Sequence, residues 1–255
     1  MTSAQNIRID LAYKGTHYRG FAENPGVLTV EGELRSAIQR VLGEVVHLAV
    51  AGRTDAGVHA SGQVVSFRTS SARVEPERLQ NSLNRLCGPD IQVQHIQSVQ
   101  PDFDARFTAE RRLYHYNVLN SPVADPLLSD IEWHIKEPLN VEEMNQAAQR
   151  FHGEHDFTSF CRRPKGQPEA SLVRTIHHAQ WHQRPQCRLQ FEITANAFCH
   201  QMVRSVVGFC VAVGTSKRSA RDVETVFTAK DRSSAAPIAP PHGLTLVHVT
   251  YPSDD

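Results

Sequence analysis

Gly52-Arg53-Thr54-Asp55-Ala56-Gly57-Val58-His59-Ala60-Ser61 separates two apolar runs, His47 to Ala51 and Gln63 to Phe67, each of which reads as a strand. This polar, glycine-containing stretch is longer than a tight hairpin needs. Upstream of it, Thr29 reads as a helix N-cap, because Val30, Leu34, Ile38, Val41 and Leu42 follow at helical spacing and Gly43 supplies a stop. Further upstream, Asn6 to Tyr13 alternates Ile7, Ile9 and Leu11 with polar neighbours, the period of a half-buried strand. Downstream, Leu79, Leu83 and Leu86 mark a second helix after Pro76, and Ile91, Val93 and Ile96 a further strand. The first hundred residues therefore run strand, helix, strand, strand, helix, strand.

The same order of elements returns later, without a residue-level repeat. Leu113 to Leu119 reads as a strand, Val141 to Phe151 as a helix, Val173 to His182 and Arg188 to Thr194 as strands, Phe198 to Val213 as a helix and Leu244 to Val249 as a last strand. Two β-α-β-β-α-β units predict an α+β protein of two similar halves, 1–103 and 104–255, each an antiparallel sheet with helices on one face, an arrangement compatible with a pseudo-twofold axis. A groove between such halves is the natural place for chemistry.

Composition narrows the class. With 255 residues, 40% hydrophobic and 21% charged, the chain has the balance of a folded globular protein. The longest near-continuous apolar stretch, Val206 to Val213, is far short of the ~20 residues a bilayer span needs, and Met1 to Gln5 has no signal-peptide layout. No membrane association is expected. Cys87, Cys161, Cys187, Cys199 and Cys210 are scattered and odd in number, which predicts packing residues in a reducing cytoplasm. Lysine plus arginine equals aspartate plus glutamate, 27 each, but the charge is unevenly spread. Between Phe160 and Arg221 ten basic residues face two acids, Glu169 and Glu192, so that segment carries +8 and the remainder −8. A basic third within a neutral chain is what a localised nucleic-acid surface requires.

Within the opening stretch, Arg53 and Asp55 would share a side if strand geometry persisted through them. A guanidinium beside a carboxylate keeps that acid ionised and oriented, which suits an anion that attacks carbon. Taken alone, Asp-Ala-Gly is also ordinary turn chemistry, and an Arg-x-Asp pair a common surface bridge.

The surroundings carry more. Gly52 to Ala60, followed by Gln63-Val64-Val65-Ser66-Phe67, closely resembles the catalytic signature of transfer-RNA pseudouridine synthases of the TruA family. Four further segments match in order. Tyr13-Lys14-Gly15-Thr16-His17-Tyr18-Arg19-Gly20-Phe21 resembles the family's first loop, and Arg112-Leu113-Tyr114-His115-Tyr116 its Arg-x-Tyr-x-Tyr strand. Phe198 to Gly208 resembles its Met-Val-Arg helix, and Ala239-Pro240-Pro241-His242-Gly243-Leu244 its closing Pro-x-x-Gly-Leu.

The resemblance implies isomerisation of uridine to pseudouridine in the anticodon arm of transfer RNA, at positions 38 to 40, by a cytoplasmic homodimer. It implies that Asp55 is the reacting carboxylate, that Arg204 holds it by a salt bridge, and that Tyr114 stacks on the target uracil, with Tyr116 as support. Arg53 would orient Asp55 or fill the gap left when the nucleotide flips out, a step costing a few kcal/mol. His59 is given no chemistry. Arg162, Arg163, Lys165 and Arg174 become candidate phosphate contacts, because transfer RNA is recognised through shape and phosphates. The reaction conserves atoms and electrons, so no cofactor and no metal are implied.

Departures and rivals complete the reading. Gly20-Phe21-Ala22 stands where Gly-Trp-Gln is usual, Glu31 where glutamine is usual, and Cys199-His200-Gln201 where Leu-Arg-His is common. His152, His155, His177, His178, His182 and Cys161 allow a zinc reading, but no Cys-x-x-Cys or His-Glu-x-x-His supports it. A non-catalytic RNA-binding module is the second rival, and a carboxylate facing polyanionic RNA speaks against it.

Overall fold

The computed structural model describes residues 5–71, 74–164 and 166–252. The chain divides into two compact units, residues 1–112 with 246–255 and residues 113–245. The expected boundary stood at 103/104, with the whole C-terminal strand in the second half.

The first unit contains β1 (Gln5–Tyr13), α1 (Val30–Leu42), β2 (Ala49–Val50), β3 (His59–Thr69), α2 (Pro76–Cys87) and β4 (Ile91–Val99), in the expected order. Strand β1 lies between β4 and β3, antiparallel to both, with Ile9 opposite Val65 on one side and Ile96 on the other. Ile7, Ile9 and Leu11 are fully buried, as their alternation predicts. Helix α1 begins where Thr29 Oγ1 accepts the Gly32 amide at 3.3 Å and ends at Gly43 in the left-handed region, φ 78°. A capping hydroxyl of this kind contributes about 1 kcal/mol. Pro76 opens α2, where its missing amide costs nothing.

The second unit contains most of β5 (Arg111–Asn120), then β6 (Trp133–Ile135), α3 (Val141–Gln149), β7 (Gly153–Asp156), β8 (Val173–Arg184), β9 (Arg188–Ala195), α4 (Met202–Gly214) and α5 (Asp222–Ala229), and the start of β10 (Leu244–Thr250). The strands run β5-β9-β8-β7. Strand β8 pairs antiparallel with β7 and β9, whereas the short β6 pairs parallel with β5, a departure from the expected antiparallel sheet. Strands β6 and β7 and helix α5 are additions to the predicted order. Phe151, Phe157, Phe160 and Phe209 form an aromatic core here, with Phe151 edge-on to Phe160 at 5.0 Å.

Helix α4 starts four residues later than its apolar spacing predicts. Gln201 sits at φ 67°, and Arg162 N donates to His200 O at 2.9 Å, so residues before Met202 follow the neighbouring segment instead of the helix. The same alignment joins Cys161 to Cys199 as a disulfide with a Cα–Cα distance of 5.8 Å, which corrects the expectation that all five cysteines are packing residues. No helix of the described residues is long and apolar enough to cross a membrane.

Candidate active site

The Asp55 loop is built from the end of β2. The pairing of β2 with β3 sets Ala49 opposite Ser66 and Val50 opposite Val65, and one more bond follows, Ala51 N to Val64 O at 3.0 Å. There the strand ends, so the strand geometry assumed for Arg53 and Asp55 does not persist. A side chain replaces the next rung of the ladder. The Gln63 carboxamide accepts from Gly52 N at 3.3 Å and donates to Gly52 O at 2.6 Å, doing for Gly52 what a neighbouring peptide group would do. Its Oε1 also accepts from Val64 N at 3.2 Å, and the residue is fully buried.

Two residues on, Thr54 is held from the other side. Its Oγ1 lies 2.7 Å from the Tyr13 hydroxyl, and its carbonyl accepts from Phe21 N at 3.1 Å. Gln63 Nε2 donates to the Tyr13 oxygen at 3.2 Å, so the Tyr13 hydroxyl is bonded to both Gln63 and Thr54. Burial pushes the Tyr13 phenol up to about 12, so it keeps its proton across the neutral range. A turn then closes: Val58 N donates to Asp55 O at 3.1 Å and Gly57 N to Tyr18 O at 3.3 Å, with Gly57 at φ 80°. Gly20, at φ 105°, lets the first loop come this close, since a Cβ there would stand 3.1 Å from Thr54 O. Arg112, buried at the start of β5, adds a further tie through Nε to Ala51 O at 3.1 Å and spends its other nitrogens on the carbonyls of Ala109 and Arg106.

The result is an alternation. Gly52 and Thr54 are gripped, Arg53 is exposed and Asp55 is half-buried. Among the described residues Arg53 makes no ion pair. His59 is buried, and its Nδ1 accepts from Gly15 N at 3.1 Å, the structural role expected of it.

The other predicted residues lie in the second unit. Tyr114, on β5, is buried and meets Phe198 edge to face, with centroids 5.1 Å apart. Tyr116 is fully buried, donates its hydroxyl to Pro240 O at 2.8 Å, and packs against Gly243, which fits a supporting role. Arg204, on α4, donates from Nε to Ala239 O at 2.8 Å while Ala239 N donates back to Arg204 O at 3.1 Å, fixing the helix to the Ala-Pro-Pro segment. Gln201 Oε1 accepts from Arg232, which steadies the strained residue ahead of α4.

The basic candidates differ among themselves. Arg162 is exposed. Arg163 turns Nη1 back onto the carbonyls of Pro168 and Ala170, at 2.6 and 3.1 Å. Arg174 is half-buried, donates Nη1 to Ser171 O and Val173 O, and has its pKa lowered by that burial. Lys165 lies outside the described residues. Two histidines of the zinc reading are engaged elsewhere: His152 donates to His177 O at 3.0 Å, and the His155 ring stacks on Phe227 at 4.6 Å. Among the described residues no three His, Cys, Asp or Glu side chains are grouped as metal ligands.

Gln63, Tyr13 and Arg112 are the site residues that the sequence analysis did not single out. Their signals were present: a glutamine leading an apolar strand, a tyrosine continuing the inward face of Ile7, Ile9 and Leu11, and an arginine opening the Arg-x-Tyr-x-Tyr strand.

Comparison with known proteins agrees along the chain. A family model described as tRNA pseudouridine synthase matches residues 11–108 and 147–252. The tRNA pseudouridine synthase A of Corynebacterium glutamicum is 40% identical over 264 residues, covering 98% of this chain and 90% of its own. Proteins of the same name from Thermoanaerobacter sp. strain X514 and Frankia casuarinae are 37% and 40% identical, each covering 97% of this chain and 100% and 90% of their own lengths. With the family model and full-length relatives in agreement, the chain belongs to the tRNA pseudouridine synthase family.

Proposed function

We propose that this chain isomerises uridine to pseudouridine in the anticodon arm of transfer RNA, with Asp55 as the reacting carboxylate. The reaction breaks the glycosidic bond, turns the uracil and rejoins it to the sugar through carbon, so reactant and product have the same atoms and electrons. One ionised carboxylate is then enough to open the path, whether it adds to the nucleoside or removes a proton from it. Tyr114, Arg204 and Arg53 complete the proposed set, with Tyr114 meeting the target base and Arg53 contacting phosphate beside the flipped nucleotide. Arg162, Arg163, Lys165 and Arg174 are proposed to contact phosphates, and the active form is proposed to be a cytoplasmic homodimer.

The observation that carries this reading is the Asp55 loop: a half-buried acid that opens a turn directly after Gly52 and Thr54, both of which are bonded into the fold. A surface Asp-Ala-Gly turn has no need of a buried tyrosine and a buried glutamine beneath it. The test is incubation with an unmodified transfer-RNA transcript, followed by mapping of pseudouridine at single-nucleotide resolution. Conversion confined to the anticodon arm is expected, and a transcript left unconverted would overturn the proposal.

A further inference from the structure

We infer that Tyr13 and Gln63 are positioning residues for the Asp55 carboxylate, acting through Thr54 and Gly52. The inference rests on the reading of Asp55 as the reacting acid.

Three polar side chains, Tyr13, Gln63 and Thr54, are buried together, with exposures of 4%, 0% and 8%. Burying a phenol, a carboxamide and a hydroxyl is unfavourable unless each is hydrogen-bonded, and apolar residues would fill the same space without that cost. The group is nevertheless connected: Gln63 bonds Gly52, Val64 and Tyr13, and Tyr13 bonds Thr54. Such networks specify one conformation when every member is satisfied.

What this network specifies is the backbone on either side of Arg53 and immediately before Asp55. The two positions bonded by this network are 52 and 54, between them stands the exposed Arg53, and the half-buried Asp55 follows directly. A carboxylate that must approach one carbon of a nucleoside depends on this backbone, because a misplacement of ~1 Å can cost about 100-fold in rate. Positioning of the reacting group by locked neighbours is therefore the function that fits a buried polar cluster here. The raised Tyr13 pKa is consistent with it, since the hydroxyl keeps its proton throughout the working range.

The test compares Tyr13→Phe, Thr54→Val, the double variant, Thr54→Ser and Asp55→Asn by single-turnover pseudouridine formation on an unmodified transfer-RNA transcript, with KM and thermal midpoint measured alongside. Tyr13→Phe and Thr54→Val are expected to lower the rate about 10- to 100-fold, with KM changed less than about 3-fold. Because both remove the same bond, the double variant is expected to be no slower than the slower single variant by more than about 3-fold. Thr54→Ser, which restores the hydroxyl, is expected to return the rate to within about 3-fold of the unaltered protein. Losses that multiply in the double variant, or a Thr54→Ser as slow as Thr54→Val, would indicate general damage and overturn the inference. Full rates in both single variants beside an inactive Asp55→Asn would overturn it while leaving the role of Asp55 intact. Turnover persisting in Asp55→Asn would instead overturn the reading of the acid itself.

Discussion

Phe198 meets Tyr114 edge to face, with ring centroids 5.1 Å apart and planes at 84°. The contact is made by the rings, and Tyr114→Phe keeps the ring that makes it. On the proposal that the Tyr114 hydroxyl also takes part in proton transfer at the rejoined carbon, Tyr114→Phe is expected to slow pseudouridine formation at least ~100-fold, while transfer-RNA binding stays within about 3-fold. Single-turnover kinetics and filter binding measure the two. An unchanged rate would show that the hydroxyl has no chemical task.

Salt dependence tests the basic segment. If phosphate contacts dominate binding, the logarithm of affinity falls linearly with the logarithm of salt, by ~0.7 to 0.9 per phosphate engaged. Arg162, exposed, is the clearest candidate, whereas Arg174 already donates to two carbonyls. Arg162→Gln is expected to weaken binding to all transfer RNAs alike and reduce the slope by about one, leaving the rate at saturating RNA unchanged. A slope equal to that of the unaltered protein would remove Arg162 from the interface.

Alkaline stability reports on Tyr13. Its phenol titrates near 10 in an unfolded chain and is pushed up to about 12 in the fold, chiefly by burial. The neutral form is the one the fold favours, so the contribution is complete below about pH 10 and is lost as pH rises towards about 12. In Tyr13→Phe this dependence is absent. The stability difference between the two proteins is expected to be flat up to about pH 9.5 and then to move by ~2 to 3 kcal/mol against the unaltered protein. Tyr18 and Tyr116, also raised by burial, are common to both and cancel.

Thiol chemistry checks the second unit and the cysteine pairing. Cys187 is exposed, Cys87 and Cys210 are buried with thiols pushed up to about 11 and about 12, and Cys161 and Cys199 are joined. Alkylation of the native protein at about pH 8 is expected to mark Cys187 alone, because a buried protonated thiol is a poor nucleophile. Denaturation without reductant should add Cys87 and Cys210, and reduction the remaining two. Labelling of Cys161 or Cys199 before reduction would contradict the pairing.

The parts of the fold that were legible are those decided by local chemistry. Thr29 and Gly43 mark α1 to the residue, since a capping hydroxyl and a left-handed glycine act within one turn. In the first unit β1, α1 and α2 follow from periods of two and 3.6, whereas β2 and β3 were legible as short apolar runs and β4 from a less regular pattern. Strands β6 and β7, of three and four residues, are too short to show a period. Helix α4 starts later than its apolar spacing predicts because Cys199 and His200 are held by Cys161 and Arg162, about forty residues earlier. Asp55, Tyr114 and Arg204 are candidates that come from the family resemblance, not from spacing or periodicity. The Gln63 substitution for a ladder bond was not legible, because it depends on where β2 stops.

The central claim is that the Asp55 carboxylate opens the path from uridine to pseudouridine. Its most direct measurement is the single-turnover rate of Asp55→Asn on an unmodified transfer-RNA transcript, with binding measured on the same sample. The account predicts no detectable pseudouridine and an affinity within about 3-fold of the unaltered protein, since the asparagine keeps the shape and loses only the anion. Pseudouridine formed at a rate near that of the unaltered protein would contradict it.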